Sequence, residues 1–394
     1  MTEWSTPRAS PVSLRRTHEP LRSRAFARNS PLRRLDWVLA FSVVTLSLLG
    51  GLLVWSATRT SNQDGFLKRH LLNLAIGLLL ASMSALVDYR MLRAYAPVVY
   101  VVSCLGLIAV LSPLGDTVRG QHSWITLPAG FQIQPSEFAK VALVVGMAMI
   151  LGEKRDNEAD PRDVDVVLVL VLAAVPMGLI MMQPDFGTTM VFVFTILGVL
   201  AVSGAPTRWV AGLVILGVLG GWGILHFDLL AEYQRERLTT FATRPDKARL
   251  QDSAYNVDQS VTAIGSGGMW GTGLFNGVAT RGEYVPEQQT DFVFSAAGEE
   301  LGFVGSGLIL FLLMVLMYRG LRIAANAGDA FGMIVAAGVS SWFAFQIFVN
   351  VGMTMGIMPV TGLPLPFVSY GGSSMFANML AIGLLQNVHM RSND

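Results

Sequence analysis

The chain has 394 residues, of which 52% are hydrophobic and 14% charged, with 28 Lys and Arg against 27 Asp and Glu. Charge this sparse in so apolar a chain excludes both an ordinary soluble enzyme and an intrinsically disordered protein. A net charge of +1 gives no basic footprint for a nucleic-acid partner, and the single cysteine, Cys104, sits within an apolar run, which excludes an internal disulfide and argues against a thiolate metal site.

In chain order, residues 1–36 form a basic tail with eight arginines (Arg8, Arg15, Arg16, Arg22, Arg24, Arg28, Arg33, Arg34), read as disordered and attracted to anionic lipid. The first apolar run is a full span long and has no small-residue cleavage site after it, so no removable leader is expected. A bilayer core about 30 Å thick needs roughly 20 apolar residues per helix. Ten runs near that length follow: 37–57, 71–87, 94–115, 135–152, 166–182, 186–207, 209–227, 292–318, 330–358 and 371–390. The expected fold is therefore an all-α polytopic membrane protein, with a ten-helix domain over 37–394. The fourth run carries Glu137 and Lys140, three apart and so on one helix face; in a span they read as a structural pair.

Positively charged loops tend to stay cytoplasmic. The tail places the N-terminus inside, and ten spans return the C-terminus to the same side. The inner loops then hold Arg90, Arg93, Lys154, Arg155, Arg162, Arg208, Arg319 and Arg322, whereas the first outer loop, with Arg59, Lys68 and Arg69, runs against the trend. The mixed-sign loop 153–165 is a solvated connector.

Three outer segments are irregular by composition. The longest, about 228–290, opens on AEYQRERLTTF, spaced as a short interfacial helix, and passes into AIGSGGMWGTGLFNGVATRGEY, with seven glycines between Gly265 and Gly282. Loops of that length are commonly functional or disordered. The others are RGQHSWITLPAGFQIQPSEFAK, with a reentrant look about HSWITL, and GIMPVTGLPLPFVSYGGSS. Irregular backbone near a bilayer survives where protein or a wet cavity satisfies it, so both are expected to line one outward cavity. Asp291 closes the long segment where water gives way to an apolar span, a position suited to chemistry on a membrane-bound substrate; by position alone a helix cap is the commoner reading. His122 and His226 lack a second ligand at metal spacing.

Four stretches, QPSEFAK (134–140), QSVTAIGSGGMWGTGLFNG (259–277), VPEQQTDFVFSAAGEELG (285–302) and GLPLPFVSYGGSS (362–374), together resemble the SEDS family of shape, elongation, division and sporulation polymerases of the bacterial cell wall. The likeness covers nearly all the chain after Leu35. PEQQTDF and the run GMTMGIMPVTGLPLPFVSYGGSS are closer to the elongation branch, RodA, than to the division branch, FtsW, which usually has lysine near the position of Thr361.

The resemblance implies a multi-pass protein of the bacterial cytoplasmic membrane that polymerises lipid II into glycan on the outer face, with undecaprenyl pyrophosphate leaving. It implies Asp291 as general base. It implies Trp124, Gln259, Ser260, Glu287, Gln288, Ser369, Tyr370, Ser373 and Ser374 as cavity residues, although Trp124 also suits an interfacial anchor and the serines also suit the capping of irregular backbone. Arg237, then Arg119, are the chosen cations for the pyrophosphate, against a reading of each as an ordinary surface charge. No protein-held cofactor is expected; a magnesium or manganese ion would ride on the substrate pyrophosphate. Implied partners are undecaprenyl-pyrophosphate-linked glycan, a class B penicillin-binding transpeptidase and elongation-complex membrane proteins. Broken helices meeting near an outer cavity also suit a lipid flippase, and a scaffold for a synthase is a third reading.

Overall fold

A computed structural model describes residues 34–59, 65–118, 121–126, 131–153, 161–226 and 252–392. The basic tail as far as Arg33, the AEYQRERLTTF stretch, Arg119 and Arg237 lie outside the described residues, whereas Asp36, at the end of the expected tail, is ordered as the cap of the first helix. Each of the ten expected spans falls on a helix: α1 (Trp37–Thr58), α2 (Gly65–Leu86), α3 (Tyr89–Leu111), α4 (Pro135–Leu151), α5 (Asp163–Met181), α6 (Phe186–Val202), α7 (Thr207–His226), α10 (Val293–Ala325), α11 (Ala330–Thr354) and α12 (Gly372–Arg391). Six of these, α1, α2, α3, α5, α10 and α11, are by themselves long and apolar enough to cross a membrane. The chain is a multi-pass membrane protein of helical architecture.

Between α7 and α10 lie α8 (Asp252–Ser266) and the single turn α9 (Val278–Arg281). The start of the Gly-rich stretch is thus the helical end of α8, and irregular backbone begins only at Gly267. A second departure from expectation is a small antiparallel sheet of order β1-β2-β3, comprising β1 (Asp116–Val118), β2 (Gln121–Thr126) and β3 (Gln132–Ile133). HSWIT (122–126) is therefore a strand. Its aromatic and β-branched run Trp124, Ile125 and Thr126 suits a strand better than a helical hairpin, and Thr126 N–H donating to Asp116 Oδ2 at 3.2 Å stitches the strands locally.

α11 is the hub, packed against α4, α6, α8, α10 and α12 and buried around most of its circumference, with Trp342, Phe343, Val339 and Val349 inside. α2, α3, α5 and α7 form the periphery and expose large apolar side chains such as Leu79, Val102, Val171 and Leu216. Apolar surface is as content in lipid as in a core, so packing and hydrogen bonds, more than water exclusion, choose the hub.

The end of the bundle remote from Asp291 is closed by capped helix termini. Asp36 caps α1 through Leu39 N–H, takes Arg319 Nε at 2.6 Å, and exchanges two backbone bonds of 2.9 Å with Gln386 of α12. Asp329 caps α11 through Gly332 N–H and accepts Tyr89 O–H at 2.8 Å, while the Tyr89 ring stacks on Phe331.

The opposite end is built differently. α10 is broken at Gly302, which takes φ 67° and ψ −166°. Residues 267–273 splice into the gap. Thr272 and Gly273 N–H donate to the carbonyls of Glu299 and Glu300 at 3.0 Å each, and Phe303 and Val304 N–H donate to the carbonyls of Gly268 and Met269 at 2.9 and 3.1 Å. A Cβ at Gly271 or Gly302 would run into the other strand of the splice, so both positions require glycine.

Candidate active site

Asp291 ends a tight loop immediately before α10. Glu287, at φ 56°, turns its carbonyl inward to accept from the N–H groups of Thr290, Asp291 and Phe292 at 3.2, 3.0 and 3.4 Å. The N-cap position of α10 is Phe292, which makes no side-chain cap bond, so Asp291 stands one residue before the cap. Its side chain is half-buried, and a Cβ placed on Gly362 would sit 3.6 Å from Oδ2, so the 361–365 segment forms a close wall beside the carboxylate.

Three clamps fix this loop. Gln288, buried, donates through Nε2 to Thr280 Oγ1 and Ser295 Oγ at 3.1 Å each. Thr280 in turn donates its N–H and hydroxyl to Glu299 Oε2 at 2.9 and 2.7 Å, and Ala279 N–H donates to Oε1 at 2.7 Å. Asn350 of α11 donates through Nδ2 to the carbonyls of Asp291 and Leu363 at 2.8 and 2.7 Å. Tyr370 N–H donates to the Gln289 carbonyl at 2.9 Å, and its ring meets Phe66 edge-on. A carboxylate whose backbone is held from α9, α11 and the 361–370 segment is preorganised, which is the condition for a proton acceptor to act without first reordering its surroundings.

Glu137 and Lys140 pair at 2.8 Å with both side chains almost wholly buried. Lys140 also donates to Gln346 Oε1 at 3.3 Å and lies 4.6 Å from the Trp342 ring centroid. Gln346, one turn along α11 from Asn350, receives Trp342 Nε1–H and donates to the Pro364 carbonyl at 2.8 Å. The buried ion pair thus supports the segment that walls Asp291. Asp185, in the turn before α6, accepts from Thr188 N–H and Oγ1 and from Gln134 Nε2. Burial pushes its carboxyl up, opposed by the two Thr188 bonds.

Asp291, Glu287, Gln288 and Tyr370 come together on one loop cluster, with Glu137 and Lys140 joined to it through Gln346 and Pro364. Ser373 accepts Gln134 N–H at 2.9 Å and donates to the Gln132 carbonyl at 3.1 Å, so the two proline-broken segments are bonded to each other. Ser260 donates to the Thr354 carbonyl, tying α8 to α11, and Gln259 beside it is half-buried. Ser369 accepts Leu365 N–H, and Ser374 accepts from Asn378. Four expected serines therefore satisfy backbone or a neighbouring side chain. Trp124 is half-buried on β2, in register with Asp116. Among the described residues no three His, Cys, Asp or Glu side chains converge as a metal cluster.

The sequence reading missed Asn350, Gln346, Glu299 and Asp185. Asn350 and Gln346 were findable: polar amides four residues apart inside an otherwise apolar run must find partners in a bilayer.

Comparisons with known proteins agree with this architecture. Residues 34–394 match the family model FTSW_RODA_SPOVE, described as a cell cycle protein. Stage V sporulation protein E of Bacillus subtilis is 38% identical over 361 residues, covering 90% of this chain and 96% of the relative. Peptidoglycan glycosyltransferase MrdB of Escherichia coli K12 is 35% identical over 356 residues, covering 90% and 93%. A solved structure described as showing structural coordination of polymerization and crosslinking by a peptidoglycan synthase complex superposes with a TM-score of 0.77 at 31% identity, covering 91% of this chain and 98% of that one. With a family match that leaves out only the basic tail, the chain belongs to the FtsW, RodA and SpoVE family, the SEDS proteins.

Proposed function

We infer that this chain is a peptidoglycan glycosyltransferase that polymerises lipid II, with Asp291 as its general base. The observation that carries the reading is the clamped loop: a half-buried carboxylate at the mouth of the bundle, its carbonyl held by Asn350 at 2.8 Å and its side chain walled by Gly362. An acceptor sugar hydroxyl attacks the anomeric carbon of the donor, and its proton passes to Asp291. The bond from that carbon to the pyrophosphate oxygen breaks, and undecaprenyl pyrophosphate leaves with inversion. Arg237 and Arg119 are the proposed cations for the leaving group. A magnesium or manganese ion would be held by the pyrophosphate oxygens, a mode that needs no protein cage.

The proposed setting is the bacterial cytoplasmic membrane, with both termini cytoplasmic and Asp291 outside. Thr361, where the division branch usually has lysine, favours the elongation branch, RodA, and the proposed partners are a class B penicillin-binding transpeptidase and elongation-complex membrane proteins. The relative described within a synthase complex supports the first of these.

The test is purified protein with lipid II. Wild type is expected to make glycan strands, and Asp291→Asn to lose about 100-fold to 10,000-fold in rate with an unchanged melting temperature. A folded Asp291→Asn that polymerises at wild-type rate overturns the assignment. The helix break at Gly302 favours a second reading, transport; transbilayer movement of lipid II in liposomes without polymer would establish it.

A further inference from the structure

At the end of the bundle remote from Asp291, the last turns of α10 and α12 enclose a cavity of about 270 Å³ lined by Arg319, Arg322, Ile323, Asn326, His389 and Ser392. No carboxylate stands among these lining residues. Asp36 neutralises Arg319 from behind, with Nη2 at 2.5 Å. The exposed Arg322 guanidinium makes no hydrogen bond or ion pair among the described residues, so one full positive charge is left to the cavity.

Two helix C-termini would ordinarily add negative potential here. Their carbonyls are already engaged: Arg322 O accepts both the backbone N–H and Nδ2 of Asn326, Val388 O accepts Ser392 N–H, and His389 O accepts the Ser392 hydroxyl. An apolar track on α10 leads to Arg322, one of the lining residues. Phe311, Met314 and Tyr318 are 57%, 66% and 60% exposed, and their spacing sets them on the α10 face that ends at Arg322. A tyrosine just above a cation is the arrangement of a membrane interface, with the ring at headgroup depth.

We propose that this cavity binds a phosphate oxyanion, with Arg322 as its main ligand and Arg319 and His389 as flanking donors, and that its source is the headgroup of an anionic phospholipid whose acyl chain lies along Phe311, Met314 and Tyr318. The proposed orientation decides only which leaflet supplies it, the cytoplasmic one. A second depression at this end, of about 450 Å³, is the internal contrast: it has Arg90 and Arg93 but also Glu153 and Asp165, which repel an anion.

The test uses the full chain in nanodiscs of phosphatidylcholine with graded phosphatidylglycerol, retained lipid being read by native mass spectrometry. Wild type is expected to retain phosphatidylglycerol over phosphatidylcholine. Arg322→Gln should weaken that retention about tenfold, the worth of a charge-assisted hydrogen bond, and Arg93→Gln should change it less than about twofold. In a third arm, millimolar inorganic phosphate or glycerol 3-phosphate is added to pure phosphatidylcholine discs. A melting shift in wild type that is absent in Arg322→Gln, without phosphatidylglycerol selectivity, overturns the lipid assignment in favour of a soluble phosphate. Equal retention by wild type and a folded Arg322→Gln, with no response to phosphate, overturns the site. Lipid II takes no part, so failure of the polymerase reading leaves this outcome unaffected.

Discussion

The two ends of the bundle solve the same problem, how to end helices without stranding polar backbone, in opposite ways. At the Arg319 end, single side chains do it: Asp36, Asp329 and Asn326 each satisfy a terminus locally, and the connections that need no further support are short. At the Asp291 end, apart from the cap that Asp185 gives α6, the splice at Gly302 pairs backbone with backbone and the amides of Asn350 and Gln346 gather carbonyls from separate segments. A side-chain cap is replaceable at modest cost. A spliced and clamped end fails as a unit, and that rigidity is what the role proposed for Asp291 requires.

The largest effect should come from unpairing the buried ions beneath the site. Lys140→Met leaves Glu137 buried, with Oε2 already lacking a partner, and should cost about 3–5 kcal/mol. The double variant Glu137→Gln with Lys140→Met should recover much of it; denaturation in mixed micelles reads both. Next, Gly271→Ala sets a Cβ into the splice at a residue with φ 79°, and about 1–3 kcal/mol of strain should appear as lost amide protection across 267–273 and 299–304. Asn350→Ala strands two carbonyls in the clamp for about 1–3 kcal/mol. It should lower kcat for lipid II with little change in KM at an unchanged folded fraction by size exclusion, whereas a merely structural loss would lower apparent kcat only in proportion to the folded fraction. Smallest, Asp329→Ala removes one cap at the opposite end and should cost about 1 kcal/mol, with polymerisation unaffected. If Asp329→Ala impaired catalysis as severely as Asn350→Ala, the contrast between the ends would not hold.

All ten helices expected from apolar runs are present, because lipid favours one long apolar element per crossing. Helix ends were read less well: α10 runs seven residues beyond the expected Tyr318, since Arg319 and Arg322 looked like loop charges but continue the helix with Arg319 paired to Asp36. The break at Gly302 was hidden within GEELGFVGSG, where glycine is compatible with a continuous helix, and only the partner strand 267–273 makes it necessary. The same holds for Glu299, whose carboxylate is used by α9, distant in sequence by about twenty residues. Asp291 stood out because its position was unusual by itself; its clamps depended on contacts that spacing does not encode. The strands of β1 to β3, each too short to show a period, gave no signal beyond their turn residues.

The splice has a consequence for how the molecule is made. Residues 267–273 leave the ribosome before Gly302 does, so α10 can be completed as it enters the bilayer, with its missing partners already waiting. The later clamps from Asn350 and Gln346 come with the following helix. Assembly of the mouth around Asp291 is therefore ordered by synthesis, and its carboxylate becomes fixed only after α11 has arrived.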